Sequence, residues 1–111
     1  MSDEIRTISR DELKTKLDYG NDFRLVMTLH EFAFRATHIP RSEHYPTIDG
    51  AYAALGPNDE IVVYCSDEAC VASQMAYRAL LEHEYTNVRR YSGGLSDWHD
   101  AGYPREGERA D

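Results

Sequence analysis

The stretch Ile61-Val62-Val63-Tyr64-Cys65-Ser66-Asp67-Glu68-Ala69-Cys70 decides the fold. Its first four residues are consecutive β-formers, the pattern of a strand buried on both faces of a parallel sheet. From about Cys70 to His83 the pattern turns helical, with Val71, Met75, Ala79 and Leu80 on one stripe expected to face the core. The residues between form a short loop at the carboxyl end of the strand, where open α/β sheets bind their ligands. A thiol on that loop faces the free N–H groups and the dipole of the following helix, which favour a thiolate or any anion attached to it. Cys65 is therefore a candidate nucleophile. The backbone amides of Ser66, Asp67, Glu68, Ala69 and Cys70 are candidate anion-binding groups. The competing reading of Cys65 is a small buried hydrophobe at the end of a strand.

Outward from this centre, strand-like and helix-like pieces alternate, which predicts a mostly parallel sheet covered by helices. Ile5 to Ile8 reads as a short strand. Ser9 and Glu12 fit a capping box, and the helix they open carries Leu13 and Leu17 and stops near Gly20. Leu25 to Leu29 is a second buried strand. His30 to His44 reads as irregular, with a short helix around Glu31 to Arg35 and the extended turn His38-Ile39-Pro40. Ile48 to Leu55 is a short helix closed by Gly56-Pro57. The last strand is Asn87 to Tyr91, followed by Gly93-Gly94, a helix from Leu95 to Ala101, and a polar tail after Pro104.

A chain of 111 residues has the length of one domain and can build a core without staples, so residues 1–111 are expected to form a single unit. The amino terminus, Met1-Ser2-Asp3-Glu4, is acidic and polar, unlike a signal or transit peptide, and no apolar stretch approaches membrane-spanning length. A cytoplasmic location is expected. Two cysteines in such a compartment point to reactive thiols rather than a structural crosslink. The net charge of -8 disfavours nucleic acid and anionic membranes as partners. The adjacent pair Arg89-Arg90 is expected to decorate a strand edge.

Four features occur in order. They are an early strand with His38-Ile39-Pro40 after it, the strand Ile61-Val62-Val63-Tyr64 delivering Cys65, a helix leading to Tyr85-Thr86-Asn87-Val88, and Ser92-Gly93-Gly94-Leu95-Ser96-Asp97-Trp98 with Gly102-Tyr103-Pro104 behind it. Together they resemble the single-domain rhodanese-like proteins, from about Ile5 to Pro104. The resemblance implies an α/β fold with a central five-stranded parallel sheet flanked by helices on both faces. It also implies sulfur transfer. Cys65 would attack a sulfane sulfur donor such as thiosulfate, hold the terminal sulfur as a persulfide, and pass it to cyanide or to a thiol acceptor, small or on a protein. No metal or organic cofactor is needed for that chemistry. A persulfide is an anion spread over a polarisable atom, which a ring of backbone amides suits.

The loop departs from the family's usual chemistry. Active sulfurtransferases commonly carry Arg or Lys in it, whereas this loop has Asp67 and Glu68 and no basic residue from Cys65 to Arg78. The early-strand positions that carry Asp and Arg in many active members read Met27 and Leu29. With Ser73 taken as the small residue opening the helix, seven residues separate it from Cys65, a long loop for the family. The dual-specificity phosphatase relatives need an arginine at the loop's far end, and Ala69-Cys70-Val71-Ala72 argues against that activity. These departures sustain an alternative: a non-catalytic rhodanese-like module that binds a partner or senses redox state through Cys65 and Cys70. Cys70 is a candidate resolving thiol for a sulfenic acid or persulfide on Cys65. Its simpler role is to begin a helix and pack inward. Arg41 is a candidate source of the missing positive charge. His30 and His44 are candidate pocket residues, and the five histidines show no metal-ligand spacing with the cysteines.

Overall fold

The computed structural model describes residues 5–109; the acidic start Met1–Glu4 lies outside the described residues, as do residues 110–111. In chain order the elements are α1 (Arg10–Asp18), β1 (Arg24–Met27), α2 (Glu31–Ala36), β2 (Ser42–His44), α3 (Ile48–Ala54), β3 (Ile61–Tyr64), α4 (Ala72–Glu82), β4 (Val88–Tyr91) and α5 (Gly94–Asp100). The strands pair in parallel in the order β2-β1-β3-β4, with β3 inside the sheet.

The sheet has four strands among the described residues, not the five expected. The segment read as a first strand does lie beside β4, but only as an isolated parallel bridge between Thr7 and Arg90. Two backbone hydrogen bonds hold it, Arg90 N–H to Arg6 O at 2.8 Å and Ile8 N–H to Arg90 O at 3.1 Å. Ser9 then starts α1, its hydroxyl accepting from the Glu12 amide at 3.0 Å, so the chain turns into helix before a ladder can form. In turn, β2 was not expected from the sequence. Ser42-Glu43-His44 carries no apolar alternation. It is a strand because it pairs with β1 through the backbone, in the register Leu25 to Ser42 and Met27 to His44.

Alternation along β3 divides the core. Val62 and Tyr64 join Leu13, Leu25, Met27, Ile39, Tyr91 and Trp98 on one face. Ile61 and Val63 join Ala51, Leu55, Tyr77, Leu80 and Val88 on the other. Thus α1 and α5 cover one face and α3 and α4 the other, the doubly covered arrangement that an all-buried Ile-Val-Val-Tyr strand requires. Burying each such side chain contributes roughly 1.5–3 kcal/mol.

The stripe expected for α4 holds at Leu80, which is buried, and fails at Val71 and Met75. Val71 is 62% exposed and Met75 67% exposed, while Ser73, Tyr77 and Leu80 are the buried residues. The inward set has helical spacing of four and three, with Ser73 and Tyr77 in place of Val71 and Met75 ahead of Leu80. Ser73 is inward because it has a buried partner on β4, described below. The polar tail is also docked: Glu106 bridges His38, and the amides of Glu108 and Arg109 donate to the Arg35 and Ala36 carbonyls at 2.8 Å, capping the end of α2.

Candidate active site

Cys65 follows β3 directly and is 1% exposed. The loop beyond it rises to the surface, with Asp67, Glu68 and Ala69 exposed and Cys70 half-buried. A turn closes it, Cys70 N–H donating to Asp67 O at 3.2 Å. Its two ends meet: Cys65 and Cys70 are joined in a disulfide, with Cα atoms 6.2 Å apart.

The start of α5 clamps the first half of the loop. Leu95 N–H donates to Cys65 O at 2.9 Å and Ser96 N–H to Ser66 O at 2.8 Å. In a trans peptide the carbonyl and the following N–H point opposite ways. Fixing these two carbonyls therefore aims the Ser66 and Asp67 amides away from α5. Gly94 makes the approach possible. It has φ +67°, and a Cβ there would stand 2.7 Å from Cys65 O and 2.9 Å from Asp67 N. Behind the clamp, Tyr91 donates to Asp97 at 2.5 Å and Arg10 to the same carboxylate at 3.0 Å, which ties α5 to β4 and α1. Burial first, and then the hydrogen bond to Asp97, push the Tyr91 phenol well above its ordinary value, so it stays a donor.

Arg90 holds the second half, and the sequence reading missed it. It is 6% exposed, not a strand-edge decoration. Its Nε donates to Ser73 Oγ at 2.8 Å, and its Nη2 donates to Glu68 O at 3.0 Å and Cys70 O at 3.3 Å. Alternation along β4 does not single it out: Arg90 shares a face with buried Val88 and Arg89 with buried Tyr91, and Arg89 pairs with Glu12 and Glu60. The positive charge absent from the loop's own sequence thus comes from a neighbouring strand. Arg41 does not supply it. That residue donates to Asn21 O and lies over the Phe23 ring, at the amino-terminal edge of the sheet.

Of the five amides expected to bind an anion, two are engaged inside the loop. The Asp67 carboxylate accepts from Ala69 N–H at 3.0 Å, and Cys70 N–H is used by the turn. Among the described residues no hydrogen bond engages the amides of Ser66, Asp67 or Glu68. Asp67 is therefore part of the loop's own scaffold, as an Asx turn, as well as a charge on its rim.

His30, His38 and His44 each engage the backbone. His38 Nδ1 lies 2.7 Å from Phe34 O, His44 Nε2 lies 2.7 Å from Leu29 O, and His30 caps α2 by accepting from Ala33 N–H. His30 and His44 line a shallow cleft with Thr28 and Glu31 that does not include Cys65. An adjoining cleft, bounded by Met27, Thr28, Pro46 and Ile48, reaches Ala72 at the start of α4. The His38-Ile39-Pro40 turn is anchored from β3: Tyr64 accepts from Ile39 N–H at 3.0 Å and lies 2.6 Å from Ser42 Oγ. Burial pushes this phenol up to about 12, so the anchor stays neutral.

A family model described as Rhodanese-like domain matches residues 9–101. No curated protein matches the chain. Among solved structures, the rhodanese-like domain of an Anabaena protein superposes with a TM-score of 0.84 at 24% identity, covering 96% of this chain and 82% of that one. A Bacillus halodurans protein superposes with a TM-score of 0.83 at 21% identity, covering 95% and 79%. A thiosulfate sulfurtransferase from Pseudomonas aeruginosa superposes with a TM-score of 0.79 at 18% identity, covering 96% of this chain and 21% of its own. At these identities the likeness is one of fold. Among the described residues no helix is long and apolar enough to cross a membrane.

Proposed function

The chain belongs to the rhodanese-like domain family, and from that premise we propose that it moves a sulfane sulfur from a donor to a thiol or cyanide acceptor through a persulfide on Cys65. The observation that carries the reading is the setting of Cys65: a buried cysteine at the carboxyl end of a central parallel strand, in a loop whose carbonyls are drawn outward by α5 and by Arg90. Drawing carbonyls away from a loop turns amides the other way, and amides are what a thiolate or persulfide needs.

The reduced Cys65 thiolate attacks the outer sulfur of thiosulfate. The S–S bond of the donor breaks and sulfite leaves with its electron pair. The amides of Ser66, Asp67 and Glu68 stabilise the charge on Cys65 before and after the transfer. Acceptor attack on the terminal sulfur then returns the thiolate. Partners under this reading are small: a sulfane sulfur donor and a thiol acceptor, free or on a protein, in a reducing compartment such as the cytoplasm.

Sulfite release by the reduced protein is the test, because it reports the first step whatever the acceptor. One equivalent of sulfite per chain, lost in Cys65→Ser, is the expected result. The two side chains are nearly isosteric, so the variant should fold. Release that persists in Cys65→Ser would refute the assignment. One observation favours a second reading. The disulfide removes the nucleophile, so a chain that releases no sulfite even when reduced would be a binding or redox-sensing module.

A further inference from the structure

We infer that Cys70 is an internal resolving thiol that expels the sulfur held on Cys65 as hydrogen sulfide, making the protein a sulfide-releasing enzyme reset by a dithiol. The inference rests on the persulfide reading above and adds the fate of its sulfur.

The disulfide carries the argument. In it, Cys70 Sγ is bonded to Cys65 Sγ itself. A thiol that can reach that atom can attack the inner sulfur of a Cys65 persulfide. The step balances as follows. The Cys70 thiol passes its proton to the outer sulfur of the persulfide anion, Cys70 Sγ forms a bond to Cys65 Sγ, the bond from Cys65 Sγ to the outer sulfur breaks, and the outer sulfur leaves as HS⁻. Two cysteine thiols are oxidised to a disulfide, and the sulfane sulfur is reduced by the same two electrons. An attack on the outer sulfur would instead move the persulfide to Cys70 and leave no disulfide.

A second observation is independent of the bond. The backbone of Cys70 is held from both sides, its N–H by Asp67 O and its carbonyl by Arg90. The nucleophile is thus set opposite its target by a tether of four intervening residues and two hydrogen bonds, which gives it the advantage of an intramolecular reactant over a dilute external thiol.

The reset follows from exposure. Cys65 is 1% exposed, whereas Cys70 is half-buried at the loop surface. An external dithiol therefore meets Cys70 Sγ first. Attack there forms a mixed disulfide with Cys70 and expels the Cys65 thiolate, the leaving group the loop amides stabilise. The second thiol of the reductant then frees Cys70. Two electrons and two protons from the dithiol restore both cysteines.

The experiment is a single turnover of the reduced protein, freed of reductant, with benzenethiosulfonate. That donor carries a sulfane sulfur, one negative charge and no thiol. Benzenesulfinate, sulfide and intact protein mass are read together. The wild type should release sulfinate and sulfide in equal amounts and end two hydrogens lighter than the reduced chain. Cys70→Ser, and Cys70→Ala beside it, should release the same sulfinate, no sulfide above background, and gain the mass of one sulfur atom. A wild type that keeps the added sulfur while Cys70 remains alkylatable overturns the resolving role and leaves the persulfide reading intact. Sulfide release that persists in both Cys70 variants does the same. No sulfinate from any of the three proteins overturns both.

Discussion

Arg90 of β4 donates to the carbonyl of Cys70 across 3.3 Å, so a strand that carries no loop residue determines where the second cysteine stands. The same guanidinium reaches Glu68 O and Ser73 Oγ, and it spans the loop from its exposed tip to the first turn of α4. No carboxylate pairs with Arg90 among the described ion pairs. Its charge is met by carbonyl and hydroxyl dipoles that belong to the site.

Arg90→Met should therefore weaken both fold and site. It leaves two carbonyls and a buried hydroxyl without their donor, and hydrogen bonds to a charged group are worth about 1.5–3 kcal/mol each. Solvent reaching the exposed side of the loop recovers part of that, so a loss of roughly 2–3 kcal/mol in denaturant unfolding is expected. Sulfite release should fall by more than tenfold at a concentration of denaturant where the variant is still folded. Arg90→Lys, which keeps the charge and some of the bonds, should recover part of both. Equal activity in Arg90→Met and the wild type would show that the loop holds its shape alone.

Gly94→Ala tests the clamp from the other side. The added Cβ meets backbone atoms of Cys65, Ser66 and Asp67 below 3.0 Å, at a positive φ. Backbone cannot swing away as a flexible side chain would, so α5 or the loop must shift, at a cost of about 1–3 kcal/mol. Gly102→Ala is the control. It has a similar φ of +78° with nothing within 4 Å, and should lose only the left-handed penalty of about 1 kcal/mol. Thermal unfolding of the two variants should separate these costs, and sulfite release should suffer only in Gly94→Ala.

The rim charge at Asp67 should bear on donor choice. Asp67→Asn keeps a side-chain oxygen for Ala69 N–H while removing the carboxylate. Sulfite release from thiosulfate should rise by roughly two- to fivefold, since an exposed charge within a Debye length is worth under about 1 kcal/mol. Release of sulfinate from the singly charged benzenethiosulfonate should rise less. Asp67→Lys should raise thiosulfate use further unless loss of the Asx turn loosens the loop. The ratio of the two donors across wild type, Asn and Lys separates charge from shape, and a flat ratio would mean that loop charge does not limit donor use.

The frame of the fold was legible where burial writes a pattern. Ile61–Tyr64 and Leu25–Met27 are apolar enough to announce strands, Val88–Tyr91 is marked as one by the Gly93-Gly94 that follows it, and Ser9 announces α1, accepting from the amide of Glu12. Ser42–His44 was not legible, because an edge strand paired only by backbone needs no apolar residue. Nor was the inward place of Ser73 on α4, which it takes through Arg90 and not through hydrophobicity. Position and spacing of Cys65 and Cys70 were readable. The residues that shape their loop were not, because Arg90 and Gly94 act across the fold from outside the motif.

The far edge of the sheet should carry an acid dependence of stability. Arg24 donates through Nε and Nη2 to the two carboxylate oxygens of Glu43 at 2.6 and 2.5 Å, and Tyr45 donates to the same group. The bonds from Arg24, chiefly, hold the Glu43 carboxyl below its ordinary value of 4.5 against the opposing effect of burial. A carboxyl lowered on folding binds its proton more weakly in the native state than in the unfolded one. Its contribution is therefore present above about pH 4.5, and it is lost as pH falls through the depressed native value. The pair is about a third exposed, so solvent screening limits the effect to less than about 1 kcal/mol. Denaturant midpoints measured from pH 6 down to pH 3 should fall for the wild type and fall less steeply for Glu43→Gln, which cannot titrate. Parallel slopes would mean that β2 is held on β1 by its backbone ladder, with the ion pair adding nothing.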